Sequence, residues 1–135
     1  MTLSPRQTKE YDCGVVAVKY LLELRGHYGD VGEIEKRLGT TPDEGTSHEG
    51  ILSYLNTIED FNPQPFTGPI ESAPFPCIVN YWWGGDGHYA VVVSKTEHFL
   101  FLFNPASGEI ERWRYDDFNN VFFSMRYGPK WSCSI

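Results

Sequence analysis

The chain is short of positive charge, of long apolar runs and of paired cysteines, and each shortage removes a class of protein. Lysine and arginine number 11 against 18 aspartates and glutamates, for a net charge of −7. A surface of that sign has no clustered cationic footprint for DNA or RNA, so no nucleic-acid partner is expected. No apolar stretch approaches the roughly 20 residues a bilayer span needs. The opening MTLSPRQTKE also lacks the apolar core of a secretory signal. A cytoplasmic protein without a membrane span is the expectation. The three cysteines, Cys13, Cys77 and Cys133, are too scattered for a disulfide framework, and their odd number leaves at least one thiol free. There is no CxxC and no HExxH, so neither zinc nor another cofactor is expected.

What is present describes one ordinary globular domain over residues 1–135, 41% apolar and 21% charged. The first part reads helical. GVVAVKYLLEL (Gly14 to Leu24) is apolar on most sides, the mark of a buried helix, and Gly26 suits its left-handed end. DVGEIEKRL is a short amphipathic helix with Asp30 as N-cap. TSHEGILSYLN offers Thr46 or Ser47 as the cap of a third helix. After Phe61 prolines punctuate a loop-rich passage. CIVNYWW, HYAVVVS, HFLFLFN, EIERWRY and VFFSMRY then read as short strands, β-branched or aromatic and separated by turn residues. The fold class implied is α+β, with helices first and an antiparallel sheet after them.

Three residues in this layout carry possible chemistry. Cys13 stands where the first helix begins, with Asp12 as its cap, and a helix N-terminus lowers a thiol's pKa through its dipole and free amides. A small buried residue at a helix start is the plain alternative. HYAVVVSKTEHFLFLFN reads as a hairpin; a turn centred on Thr96 sets His88 directly opposite Asn104 on the same face. Asn104 then holds His88 in the tautomer that leaves the other ring nitrogen for a thiol. Asp86, two residues before His88, is a rival partner. Trp82 and Trp83 could wall a substrate groove, and Gly84, Gly85 and Gly87 permit a mobile loop, although a surface turn with one tryptophan in the core explains them as well. Gly14 leaves room for a substrate backbone. His27, His48 and His98 read as solvent-facing, Cys77 as core and Cys133 as tail.

QTKEYDCG, GTSHEGIL, HYAVVV and NPASG, in this order, resemble the bacteriocin-processing peptidases. These are papain-like cysteine peptidases that remove leader peptides after a double glycine, often as the N-terminal domain of an ABC transporter. The resemblance runs from Gln7 to about Phe118. It implies a papain-like fold, with Cys13 as nucleophile on the central helix, His88 on the facing sheet as general base and then acid, and Asn104 orienting His88. It also implies that Gln7 and the Cys13 N–H hold the oxyanion. The family usually carries Asp where this chain has Asn104. The partners implied are a peptide or protein substrate and, since no transporter follows in the chain, a separate ABC transporter. Two other functions fit the same residues: deamidation or transglutamination of a protein glutamine, and peptide binding without cleavage.

Overall fold

The apolar run after Asp12 forms α1 (Cys13–Leu24), ending on Gly26 at φ 79°. Val15, Val16, Ala17, Val18, Leu21 and Leu22 are all buried, so α1 is covered around most of its circumference. The computed structural model describes residues 11–124 and 128–135. α2 (Val31–Leu38) begins at Asp30, whose side chain accepts the Glu33 N–H, and stops at left-handed Gly39. α3 (His48–Asn56) begins at Ser47, which accepts the Gly50 N–H, so Ser47 rather than Thr46 is the cap. α2 presents Ile34 and Leu38, and α3 presents Ile51 and Leu55, to the core around α1. Gly50 permits this packing, because a Cβ there would fall 2.4 Å from the Leu38 carbonyl oxygen.

The rest of the chain builds a six-stranded sheet in the order β1-β8-β2-β3-β4-β5. β2 (Cys77–Trp83), β3 (Asp86–Lys95), β4 (Phe99–Asn104) and β5 (Glu109–Arg114) are the strands the sequence pattern predicts. Two others differ from expectation. β1 (Gln64–Thr67) forms within the proline-rich passage, paired among the described residues with β8 alone, where an edge strand tolerates Pro65. β8 (Trp131–Ser134) is inserted between β1 and β2, so Cys133 is a fully buried sheet residue rather than tail. Where EIERWRY ends, Tyr115–Val121 turns into helix α4 instead of continuing as strand. Among its described residues VFFSMRY contributes the short β6 (Phe123–Ser124), paired with β7 (Gly128–Pro129).

Each face of the sheet has its own core. Ile78, Tyr89, Val91, Phe103 and Cys133 pack beneath α1, where the Tyr20 and Phe103 rings stack with centroids 3.8 Å apart. Val79, Tyr81, Ala90, Val92, Leu100 and Leu102 pack on the other face against Phe118 and Phe122 of the α4 segment. Lys95 pins that second layer by donating to the carbonyls of Ile70, Glu71 and Ala73.

Candidate active site

β3 brings His88 to Asn104, and it does so through an irregular hairpin. Near the turn, closed by Thr96 N–H to the Phe99 carbonyl, Lys95 pairs with Leu100 and Ser94 with Phe101. Continued unbroken, that register sets Val91 opposite Asn104 and puts His88 and Asn104 on opposite faces. A bulge between Val92 and Ser94 restores the parity: Val92 pairs with Leu102 and Val91 with Phe103. Asn104 therefore lies opposite Ala90 and diagonal to His88. The turn is not centred on Thr96 and the two residues are not directly opposed, yet they share a face and the side chains meet.

His88 Nε2 lies 2.8 Å from Asn104 Oδ1, with both residues buried. Which amide atom faces the ring follows from the other contacts. The Ala106 N–H donates to Oδ1 at 2.9 Å, and Nδ2 donates to a Glu111 carboxylate oxygen at 3.1 Å. A flipped amide would set donor against donor and oxygen against oxygen, so Oδ1 faces His88 and accepts. Nε2 must then carry the proton, which leaves the Nδ1 lone pair of the neutral ring available. Asp86 is not the partner, since its Oδ1 accepts the Gly87 N–H at 2.8 Å.

Cys13 opens α1, but the side chain of Asp12 makes no cap hydrogen bond there. The N–H groups of Tyr89, next in sequence to His88, and of Gly14 point at the sulfur and lower its pKa. Burial outweighs them and leaves the thiol above its ordinary value. A helix end therefore does not by itself make this cysteine a thiolate, contrary to the reading from position. Burial likewise lowers the His88 pKa, with Asn104, Glu111 and Asp86 opposing that shift.

The remaining expected residues divide. Trp83 stacks over His88 with ring centroids 4.6 Å apart and is 43% exposed, so it roofs the imidazole. Trp82, next along the strand, stacks instead on Phe123. Gly87 pairs with Trp82 across the two strands. The space over Gly14 is taken: a Cβ there would fall 2.6 Å from Thr46 Cβ, so this glycine seats α1 against the buried Thr46. Gln7 lies outside the described residues. His48 is not solvent-facing; it stacks on Trp131 at 3.8 Å, and its Nδ1 meets the Tyr89 hydroxyl at 2.6 Å. Burial drops its pKa to about 4. The GTSHEG motif thus braces the start of α1 and the β3 residue beside it.

Glu111 and Trp113 were not anticipated. Leu102 pairs with Glu111 and Leu100 with Trp113, so both side chains lie on the face of Asn104. Trp113 Nε1–H donates to the second Glu111 oxygen at 3.1 Å. The alternation in EIERWR was the available signal. Among the described residues no group of three or more His, Cys, Asp or Glu side chains could hold a metal. No described helix is long and apolar enough to cross a membrane.

The model of the Peptidase C39 family matches residues 4–125. The chain belongs to this family. An uncharacterised protein of Methanothermobacter marburgensis is 28% identical over 117 residues, covering 87% of this C39 chain and 80% of that protein. The peptidase domain of Streptococcus ComA, a bifunctional ABC transporter involved in a quorum-sensing pathway, shares the fold with a TM-score of 0.80 at 18% identity, covering 96% and 94% of the two chains. The double glycine motif protease of an AMS/PCAT transporter, solved with its leader peptide, gives 0.78 at 14% identity, over 95% and 86%. The peptidase domain of Streptococcus mutans ComA gives 0.68 at 18%, over 98% of each chain.

Proposed function

We propose that this C39-family chain is a cysteine peptidase in which Cys13 attacks, His88 carries the proton and Asn104 holds His88. The observation that carries the reading is the fixed Nε2–H tautomer of His88 beside a β3 backbone whose next N–H points at the Cys13 sulfur. The resting pair is a neutral thiol and a neutral imidazole, because burial moves the two pKa values apart in the directions that disfavour both charges. As sulfur attacks the scissile carbonyl, its proton passes to Nδ1. As the thioester forms, that proton passes to the leaving amine. The Cys13 N–H, one of the orphan donors of the first helical turn, faces the developing oxyanion, and Gln7 is the second donor. Trp83 keeps water from one face of the imidazole. The family and the leader-bound neighbour support a leader peptide cut after Gly-Gly as substrate and an ABC transporter as partner.

The test is mass analysis of a synthetic leader peptide incubated with the full chain. Two fragments parted after Gly-Gly are expected, with none from Cys13→Ala. An intact peptide heavier by about one dalton would mean deamidation. An uncut peptide, or cleavage retained by Cys13→Ala, would overturn the reading.

A further inference from the structure

Asn104 is neutral, so the imidazolium that forms on His88 during turnover has no charged partner in direct contact through Nε2. The structure places a carboxylate one hydrogen bond farther out. His88 on β3, Asn104 on β4 and Glu111 on β5 are linked across three adjacent strands, Nε2–H to Oδ1 at 2.8 Å and Nδ2–H to Oε2 at 3.1 Å. Glu111 is itself held: the Trp113 indole N–H donates to Oε1 at 3.1 Å, so each carboxylate oxygen faces a fixed donor. Half-burial of both Glu111 and Trp113 keeps the line partly out of water, where charge acts over longer range.

We propose that Glu111 is a positioning residue for the His88 base, fixing the orientation of the Asn104 amide and supplying, through it, the negative charge that answers the imidazolium. The inference rests on the assignment of His88 as the base. Two roles follow from the geometry. Without an acceptor at Oε2, Nδ2 loses the partner that keeps Asn104 from flipping, and a flipped amide would present a donor to Nε2–H. Without the charge, protonated His88 loses a favourable interaction that the neutral ring does not feel. The other ionisable groups around the ring are Asp86 at the start of β3 and Tyr81 on β2, with its ring centroid 5.6 Å away; Cys13 of α1 acts on Tyr81 in turn. Glu111 raises the His88 pKa, as Asp86 does to a lesser extent. Asp86 is exposed at the hairpin tip and bonded to its neighbour's N–H, whereas Glu111 is tied into the line of bonds.

The experiment is a proton-detected titration of the histidine rings in the 135-residue chain, with the His88 signal identified by its loss in His88→Gln. Glu111→Gln keeps the size, removes the charge and sets its NH2 against one of the two donors. Its His88 should bind a proton about three- to tenfold more weakly, the scale of one charge acting at intermediate dielectric. Asn104→Asp in the Glu111→Gln background moves the charge into direct contact with Nε2–H. That double variant should bind the proton more tightly than the parent chain; should Glu111→Gln fail to fold, Asn104→Asp alone is titrated instead, with the same result expected. An unchanged His88 titration in Glu111→Gln, or a double variant no tighter than the parent, would overturn the proposal. Because the titration needs no substrate, it can fail while Cys13-dependent cleavage stands, or succeed while cleavage is absent.

Discussion

β3 belongs to two hairpins, and they are built differently. On the β2 side the ladder runs unbroken from Cys77↔Val92 to Trp83↔Asp86 around the tight Gly84–Gly85 turn. On the β4 side it slips at Val93, and its paired residues reach only Val91↔Phe103. The regular side spends its backbone groups on itself. The irregular side leaves the Tyr89 N–H to a sulfur from α1 and sets His88 diagonal to Asn104. Regular pairing makes the scaffold; the place where pairing stops makes the candidate site.

The largest effect should come from removing the last apolar pair beneath the irregular side. Phe103 is fully buried and stacked on Tyr20, so Phe103→Ala should lose about 3–5 kcal/mol in urea unfolding. A loss below about 1 kcal/mol would mean that this end of β4 carries no packing role. Asn104→Ala comes next. It should lower kcat about ten- to a hundredfold with little change in KM, because His88 loses its tether while no group proposed to bind the peptide is touched. An equal rise in KM would place Asn104 in substrate binding instead.

His48 braces Tyr89, the residue at which the two hairpins diverge, and its effect is pH-dependent. Its folded pKa, about 4, lies below the ordinary 6.5, so the unfolded chain binds the extra proton. Stability is therefore full above pH 6.5 and declines as pH falls towards 4, by about 1 kcal/mol once partial solvent access is allowed for. His48→Gln should flatten that part of a pH-resolved melting curve; an unchanged slope would contradict it. The smallest change belongs to the regular side. Asn80 is buried on β2, and its Oδ1 has no hydrogen-bond partner among the described residues. Asn80→Ala should shift chemical unfolding by less than about 1 kcal/mol, against the larger catalytic cost of the matching change at Asn104.

Much of this was legible in the residues. CIVNYWW coincides with β2, and the His88–Asn104 bond follows from two polar residues of the same parity on neighbouring apolar strands. The register did not follow, because a tight turn at residues 96–99 and a bulge at Val93 each shift it and composition marks neither. Cys133 read as tail because nothing local reveals that the last strand inserts between β1 and β2. The thiol's pKa departs from the expectation for a related reason: the helix end is a local feature, whereas the burial that outweighs it comes from the assembled fold. Glu111 was hidden by ordinary strand alternation, and only the β4–β5 register aims it at Asn104.

The account turns on whether His88 assists the sulfur of Cys13, and the rate of Cys13 alkylation by iodoacetamide, followed by mass spectrometry across pH, reads this without a substrate. Cys77 and Cys133 are buried, with pKa values pushed up to about 12 and about 11, and should stay unlabelled in the folded chain. In the parent chain Cys13 should react at pH 7, losing rate only as His88 gains its proton below pH 6.5. In His88→Ala that rate should drop at least about tenfold, the contribution expected of a positioned base. Equal rates in the two chains would contradict the account.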